Sequence, residues 1–239
     1  MVNNVNWLKR ENDAAMHFNM CFVGGFLGAY AIFLRGGNFG SAQTGNLIEA
    51  VLEGLGGEWP QLFLRLGAFG IYVIGIIASF LLGKRFKGRM SRICLAVEAA
   101  GLVIAALIPE NAEPVAALYP IFFITSFQWG VFSGAKGYNS ATIFSTNNVK
   151  QATLGWTEYI RTKDAKQKEK AVFYTLTLTS FHIGVAVGYG SVKLLSVSGA
   201  FIGLIPLLTA FGLTCLAQSS GEEKVSASTI QRDSLVKQI

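Results

Sequence analysis

With 239 residues, 51% of them hydrophobic and only 14% charged, a mean hydropathy of +0.44 and a net charge of +6, the chain is too apolar for a soluble domain, where about a quarter of residues are charged. Its apolar residues fall into six blocks of roughly 18 to 24, enough to cross ~30 Å of hydrocarbon as helices, and stretches such as Leu66 to Leu82 lack the alternation that a membrane barrel needs. Soluble enzymes and β-barrels are excluded, and the expected class is an all-α membrane protein.

In chain order, residues 1–16 are polar and read as a retained cytoplasmic segment, because no small-residue cleavage signal follows them. Six spans are predicted within a membrane domain of 17–217: Phe18 to Leu34, Leu62 to Gly83, Ile93 to Ile108, Val115 to Ala135, Val172 to Val192 and Ala200 to Ala217. The polar stretch 218–239 reads as a disordered cytoplasmic tail. Cys21, Cys94 and Cys215 lie far apart inside apolar blocks, which argues against a disulfide framework or a thiolate metal site. Six spans put 17 of the 20 basic residues on the side of the termini and leave Arg35, Arg65 and Lys193 opposite, with the acidic turn Pro109 to Pro114. The positive-inside rule then makes both termini cytoplasmic in an inner membrane. Topology accounts for the net charge without nucleic acid, and the basic loops are expected to attract anionic lipid headgroups.

Sliding the chain by 102 positions superposes Gly28 on Gly130, Thr44 on Thr146, Asn46 on Asn148, Ala50 on Ala152 and Leu52 on Leu154. In both halves, about 17–108 and 115–217, a span leads through a Gly-rich hinge into a Ser/Thr/Asn cluster, a short amphipathic stretch and two more spans. Three spans per half is an odd number, so the expected architecture is an inverted three-plus-three repeat, as in secondary transporters that bind substrate where their halves meet.

The first cluster runs from Gly36 to Asn46 and precedes an amphipathic stretch with Leu47, Ile48, Val51, Leu52 and Leu55 on one face and Glu49 and Glu53 on another. The second runs from Asn139 to Asn148 and leads into Val149, Ala152, Trp156 and Ile160. Two arrangements are open. Both segments re-enter the membrane as broken helices that line a cavity with amide and hydroxyl groups, or both lie at the surface as interfacial amphipathic helices. On the first arrangement Gln43, Thr44, Asn46, Thr146, Asn147 and Asn148 line a substrate site, with Glu49 and Gln128 near it.

The run Gly25-Phe26-Leu27-Gly28-Ala29-Tyr30, with Arg35-Gly36-Gly37 and Thr44-Gly45-Asn46-Leu47 after it, resembles the first signature of the YoaK family of small bacterial multi-spanning membrane proteins. Phe127-Gln128-Trp129-Gly130, followed by Ser145-Thr146-Asn147-Asn148, resembles the second, with Asn147 standing where glycine is expected. The resemblance covers about residues 17 to 217; it implies a six-span bacterial inner-membrane fold and supplies no substrate or activity.

Two ionisable residues inside predicted spans, Glu98 and His182, are proton-coupling candidates, since such groups are costly in hydrocarbon. Arg65 reads as an interfacial residue reaching to the membrane surface. The pairs Gly24/Gly28, Gly130/Gly134 and Gly184/Gly188 give small helix faces for packing within the chain, and a homodimer is left open. The chain has no P-loop and no catalytic Ser/His/Asp order, and two histidines cannot make a conventional zinc site, so no enzyme activity, metal or cofactor is expected. The expected function is that of a permease, alternating-access transport of a small polar or anionic solute, with Glu98 or His182 as the proton-coupling candidates. The alternatives are a passive channel built from the same half-helices and a membrane-embedded scaffold that docks a cytoplasmic partner. The sequence names neither the substrate nor its direction.

Overall fold

The computed structural model describes residues 2–216, with side chains from Arg10 onward, so the tail 218–239 lies outside the described residues. The elements are α1 (Val2–Leu34), α2 (Gln43–Gly56), α3 (Trp59–Arg85), α4 (Met90–Leu107), α5 (Pro114–Ala117), α6 (Tyr119–Val131), the strands β1 (Gly134–Ala135) and β2 (Tyr138–Asn139), α7 (Thr146–Thr162), α8 (Ala165–Leu195) and α9 (204–216). Four stretches are long and apolar enough to cross a membrane: Arg10–Leu34, Trp59–Arg85, Lys87–Leu107 and Ala165–Leu216.

The fourth of these stretches is not one rod. A 3-10 turn over Ser196–Gly203 follows α8, with Ser196 at φ 51° and Gly199 lying against the Ser191 carbonyl, and α9 then runs back beside α1. Asn19 Nδ2 donates to the Pro206 carbonyl at 3.1 Å and Asn12 Nδ2 to that of Leu213 at 3.4 Å, which fixes the antiparallel direction. Local signals mark the helix ends. Pro60 opens α3 and Lys84 and Arg85 close it, the Asp164 carboxylate caps α8, and Gly57 ends α2 in the left-handed conformation at φ 84°.

Three differences from expectation stand out. The predicted fourth span, Val115 to Ala135, is divided into α5 and the 13-residue α6, and the chain leaves the helix at Val131 for a small β-hairpin. Lys136 (φ 53°) and Gly137 (φ 85°) form its turn, the backbone that a two-residue hairpin demands. At the N-terminus, helix α1 continues without a break from Val2 into the apolar block. The last helix begins at 204 rather than at Ala200, because residues 200–203 belong to the 3-10 turn.

Helix packing is close and relies on glycine. A Cβ on Gly25 would lie 1.9 Å from the Phe181 carbonyl oxygen, and one on Gly184 2.0 Å from that of Phe22, so the α1 and α8 backbones touch. Between α3 and α6 a Cβ on Gly75 would lie 1.9 Å from Ser126 Oγ, and one on Gly130 2.0 Å from Ser79 Oγ. Small residues at such crossings allow the dense packing on which helix association in lipid depends. The apolar core is built from Met20, Val23, Phe26 and Tyr30 of α1 with Leu102, Ile121, Phe122 and Phe127 of α4 and α6. The outer surface carries Phe63, Ile77, Phe80, Ile205 and Leu208, an apolar exterior suited to acyl chains.

Candidate functional site

Helix α1 gives a scale along which the polar segments can be placed. At its far end Arg35, 2% exposed, donates to the carbonyls of Ile108 (3.2 Å), Pro109 (3.0 Å) and Glu110 (2.9 Å). Eleven residues back, about 16 Å along the axis at the helical rise, Gly24 lies against the Thr142 carbonyl oxygen, which a Cβ would approach to 2.1 Å. Four residues above Gly24, Gly28 lies against the Phe39 ring. Seven below it, His17 Nε2 is 3.0 Å from Ser140 Oγ. Residues 35–42 thus descend from one end to mid-height, and residues 132–145 climb to it from the other.

There the two segments touch. Ser41 Oγ donates to the Ile143 carbonyl at 3.0 Å, and Thr125 Oγ1 of α6 donates to that of Gly40 at 3.2 Å. Ser41 and Ile143 are themselves 102 positions apart, the same spacing that separates Asn46 from Asn148. Each segment is braced by an asparagine in the helix that follows it. Asn46 Nδ2 donates to the Phe39 carbonyl at 3.2 Å, and Asn148 Nδ2 to that of Ala141 at 2.8 Å, both seven residues upstream. From this junction α2 and α7 leave in opposite directions. Gln128 of α6 closes the site from the side: its Nε2 donates to the Met20 carbonyl at 2.8 Å and to Thr142 Oγ1 at 3.0 Å.

Neither helix start is capped by a side chain. Ser145, at the N-cap position of α7, keeps its Oγ buried and without a hydrogen-bond partner, and the same holds for Gln43 Oε1 and Nε2 and for Gln128 Oε1. Buried polar atoms in folded proteins are nearly always paired, so four such atoms around one junction mark unused bonding capacity. The starts of α2 and α7 add backbone N–H groups without a side-chain cap, and a helix N-terminus of this kind suits a neutral polar or anionic group.

The residues singled out from sequence divide accordingly. Asn46, Asn148 and Gln128 are buried at the junction, with Gln43 at its edge, while Thr44, Thr146 and Asn147 are exposed on the outer sides of their helices. Glu49 is turned away from the junction: with Glu53 it pairs with Arg65 at 2.6 and 2.8 Å, and Arg65 also donates to Asn38 Oδ1 at 3.1 Å. Arg65 is therefore an inward anchor between α2 and α3 and does not reach for the surface. His182 faces outward on α8 and bonds its own helix through the Leu178 carbonyl, 2.7 Å away. Glu98 is fully buried in α4, where it accepts from Cys94 Sγ at 3.4 Å, and its second oxygen has no hydrogen-bond partner. Neither proton candidate touches the junction.

Sequence reasoning set aside His17 and left Ser140 among the unweighted members of its cluster. Both are buried, and both bond into the second segment. The available signal was a histidine at the polar edge of the apolar block that forms α1.

The family described as "Protein of unknown function (DUF1275)" matches residues 16–215, and it is the family that the two Gly and Thr/Asn signatures resemble. No curated protein and no solved structure matches the chain.

Proposed function

The chain belongs to this family of unknown function, so its activity must be read from its own geometry, and we propose that it is a secondary transporter of a small polar or anionic solute in a bacterial inner membrane. The observation that carries the reading is the meeting of two irregular segments at mid-height beside α1, closed by the bond from Ser41 to the Ile143 carbonyl. Irregular backbone at membrane depth is tolerated where protein buries it or where it lines a cavity, and broken helices converging from opposite faces are the recurrent binding site of secondary transporters.

On this reading the chain crosses the membrane six times, through α1, α3, α4, α6, α8 and α9, with both termini cytoplasmic. The halves form an inverted three-plus-three repeat, and α2 and α7 are its re-entrant helices. The packing pattern supports it: α1 packs on α8 as α6 packs on α3, and under the 102-residue offset these two pairs exchange. The substrate lies between the starts of α2 and α7, taking hydrogen bonds from helix N–H groups and from Gln43, Gln128 and Ser145. Asn46 and Asn148 hold the walls of that site.

The test is flux through purified protein in liposomes against a panel of small polar metabolites and anions. Saturable uptake by the wild type, reduced at least about tenfold in Gln128→Ala and in Asn148→Ala, supports the proposal. Non-saturable downhill flux would make the protein a channel. A folded, correctly inserted wild type that moves nothing on a broad panel would sink the reading.

A further inference from the structure

We propose that His17 is the proton-carrying group of this transport cycle, taking up its proton at Nδ1 from a crevice at the end of the bundle where α1 begins; the coupling role rests on the transport reading above. Hydrogen bonding fixes the starting state. Asn148 commits its amide hydrogens to the Ala141 carbonyl (2.8 Å) and the Phe144 carbonyl (3.4 Å), so its Oδ1 accepts the Ser140 hydroxyl hydrogen at 2.9 Å. Ser140 then has no hydrogen for the histidine, and His17 Nε2 must donate to it across 3.0 Å. Nδ1 is left as a bare lone pair, buried and without a partner.

Two rings that contact the imidazole also line a crevice. This crevice, of about 350 Å³, opens among Glu11, Lys136, Lys168 and Glu169, and its floor includes Phe18 and Phe173. These two rings flank the imidazole, at centroid distances of 6.3 and 5.4 Å, and Phe173 is stacked on it at 22°. A stacked aromatic face stabilises an imidazolium once the proton has arrived. The charged groups around the crevice are mostly paired: Glu11 with Lys136 at 2.6 Å and Arg10 with Glu169 at 3.2 Å. On α1, Asp13 is turned to the exterior and the Cys21 thiol is buried one turn beyond His17. From the hairpin and α8, the Tyr138 and Tyr174 phenols pack around Phe173. Burial holds the Tyr138 phenol above its ordinary pKa, with Glu169 adding to the effect and Arg10 opposing it.

Protonation converts Nδ1 from acceptor to donor while Nε2 keeps its bond to Ser140. The charge is thus delivered to the end of the chain His17, Ser140, Asn148, which braces the second segment of the substrate site. In the proposed cycle the proton enters from the side where α1 begins and leaves Nδ1 toward the opposite side once the second segment has shifted, so each turnover carries one proton across and restores the neutral ring.

The test combines solute flux with an internal pH dye and nitrogen-15 histidine NMR on the full chain. His17→Gln keeps an amide donor for Ser140, and downhill solute flux is expected to persist while the protons moved per solute fall at least about tenfold. Ser140→Ala, which keeps the histidine and cuts the chain, is expected to lower the same ratio. Glu98→Gln and His182→Gln are expected to leave it unchanged. Undiminished proton movement in His17→Gln, or its loss in Glu98→Gln alone, overturns the proposal. Spectra showing Nδ1 already protonated in the neutral ring, or a ring that never titrates, do so as well. Wild-type vesicles that move no solute would refute the transport reading and with it the coupling role, whereas titration seen by NMR would still place a proton site at His17.

Discussion

Arg35 shows how much one side chain can hold in a membrane protein. Its buried guanidinium ties down the turn after α4 by donating to three of its carbonyls. Each bond from a charged donor contributes about 1.5 to 3 kcal/mol. Arg35→Ala is therefore expected to destabilise the protein by at least about 3 kcal/mol, and Arg35→Lys to recover only part of this because a point ammonium lacks the planar fork. Thermal unfolding in detergent measures both, and an alanine variant as stable as the wild type would contradict the role. The sequence placed Arg35 at the correct end but gave no sign that it turns inward, because that depends on where the turn after α4 arrives. Asn46 and Asn148 were legible as a matched pair from their spacing. Their use as braces was not, since an amide that lines a cavity and one that bonds its own loop look alike until the loop's path is known.

Among the elements, long uniform helices were the most readable. Where the hydrocarbon pattern runs unbroken, as in α3 and α4, the predicted spans fall within a few residues of the helices or inside them. The reading failed where apolar residues continue past the end of a helix. Ile121 to Phe132 and Phe201 to Leu207 are both largely apolar, yet the first leads into a hairpin and the second starts in a 3-10 turn. Tertiary contacts set these limits. Of the expected glycine faces, Gly24/Gly28 and Gly184/Gly188 pack within the chain, whereas Gly134 falls in β1 and makes no helix face with Gly130, because α6 ends at Val131. Gly25→Ala is expected to force α1 and α8 apart, at a cost of about 1 to 3 kcal/mol or more, because the new methyl would meet backbone that cannot yield. Gly70→Ala, with nothing within 4 Å of its Cβ, serves as the control and is expected to be neutral. Equal stability of the two variants, measured side by side, would show that the close crossing is not a constraint.

For the whole molecule, the distribution of basic residues makes a claim about orientation that labelling tests. Single cysteines at Asp13 and Lys163 are expected to react with an impermeant thiol reagent only from the cytoplasmic side, and one at Glu110 only from the other; Cys21, Cys94 and Cys215 are replaced beforehand. Labelling of Asp13→Cys and Lys163→Cys from opposite sides would break the proposed topology. The all-α membrane class could be read from one sequence because hydrocarbon length is one-dimensional. The site could not, since it is formed where two loops 102 residues apart come together.

The close glycine crossings have a mechanical consequence. Backbones in direct contact cannot slide, so α1 with α8 and α3 with α6 behave as two stiff beams. Between the beams run the apolar core that α1 shares with α4 and α6 and, at the level of the junction, polar bonds such as Ser41 to Ile143 and Gln128 to Met20. Because the crossings lock each pair internally, movement that preserves them is confined to the boundary between the beams, which passes through the level of the unused polar atoms.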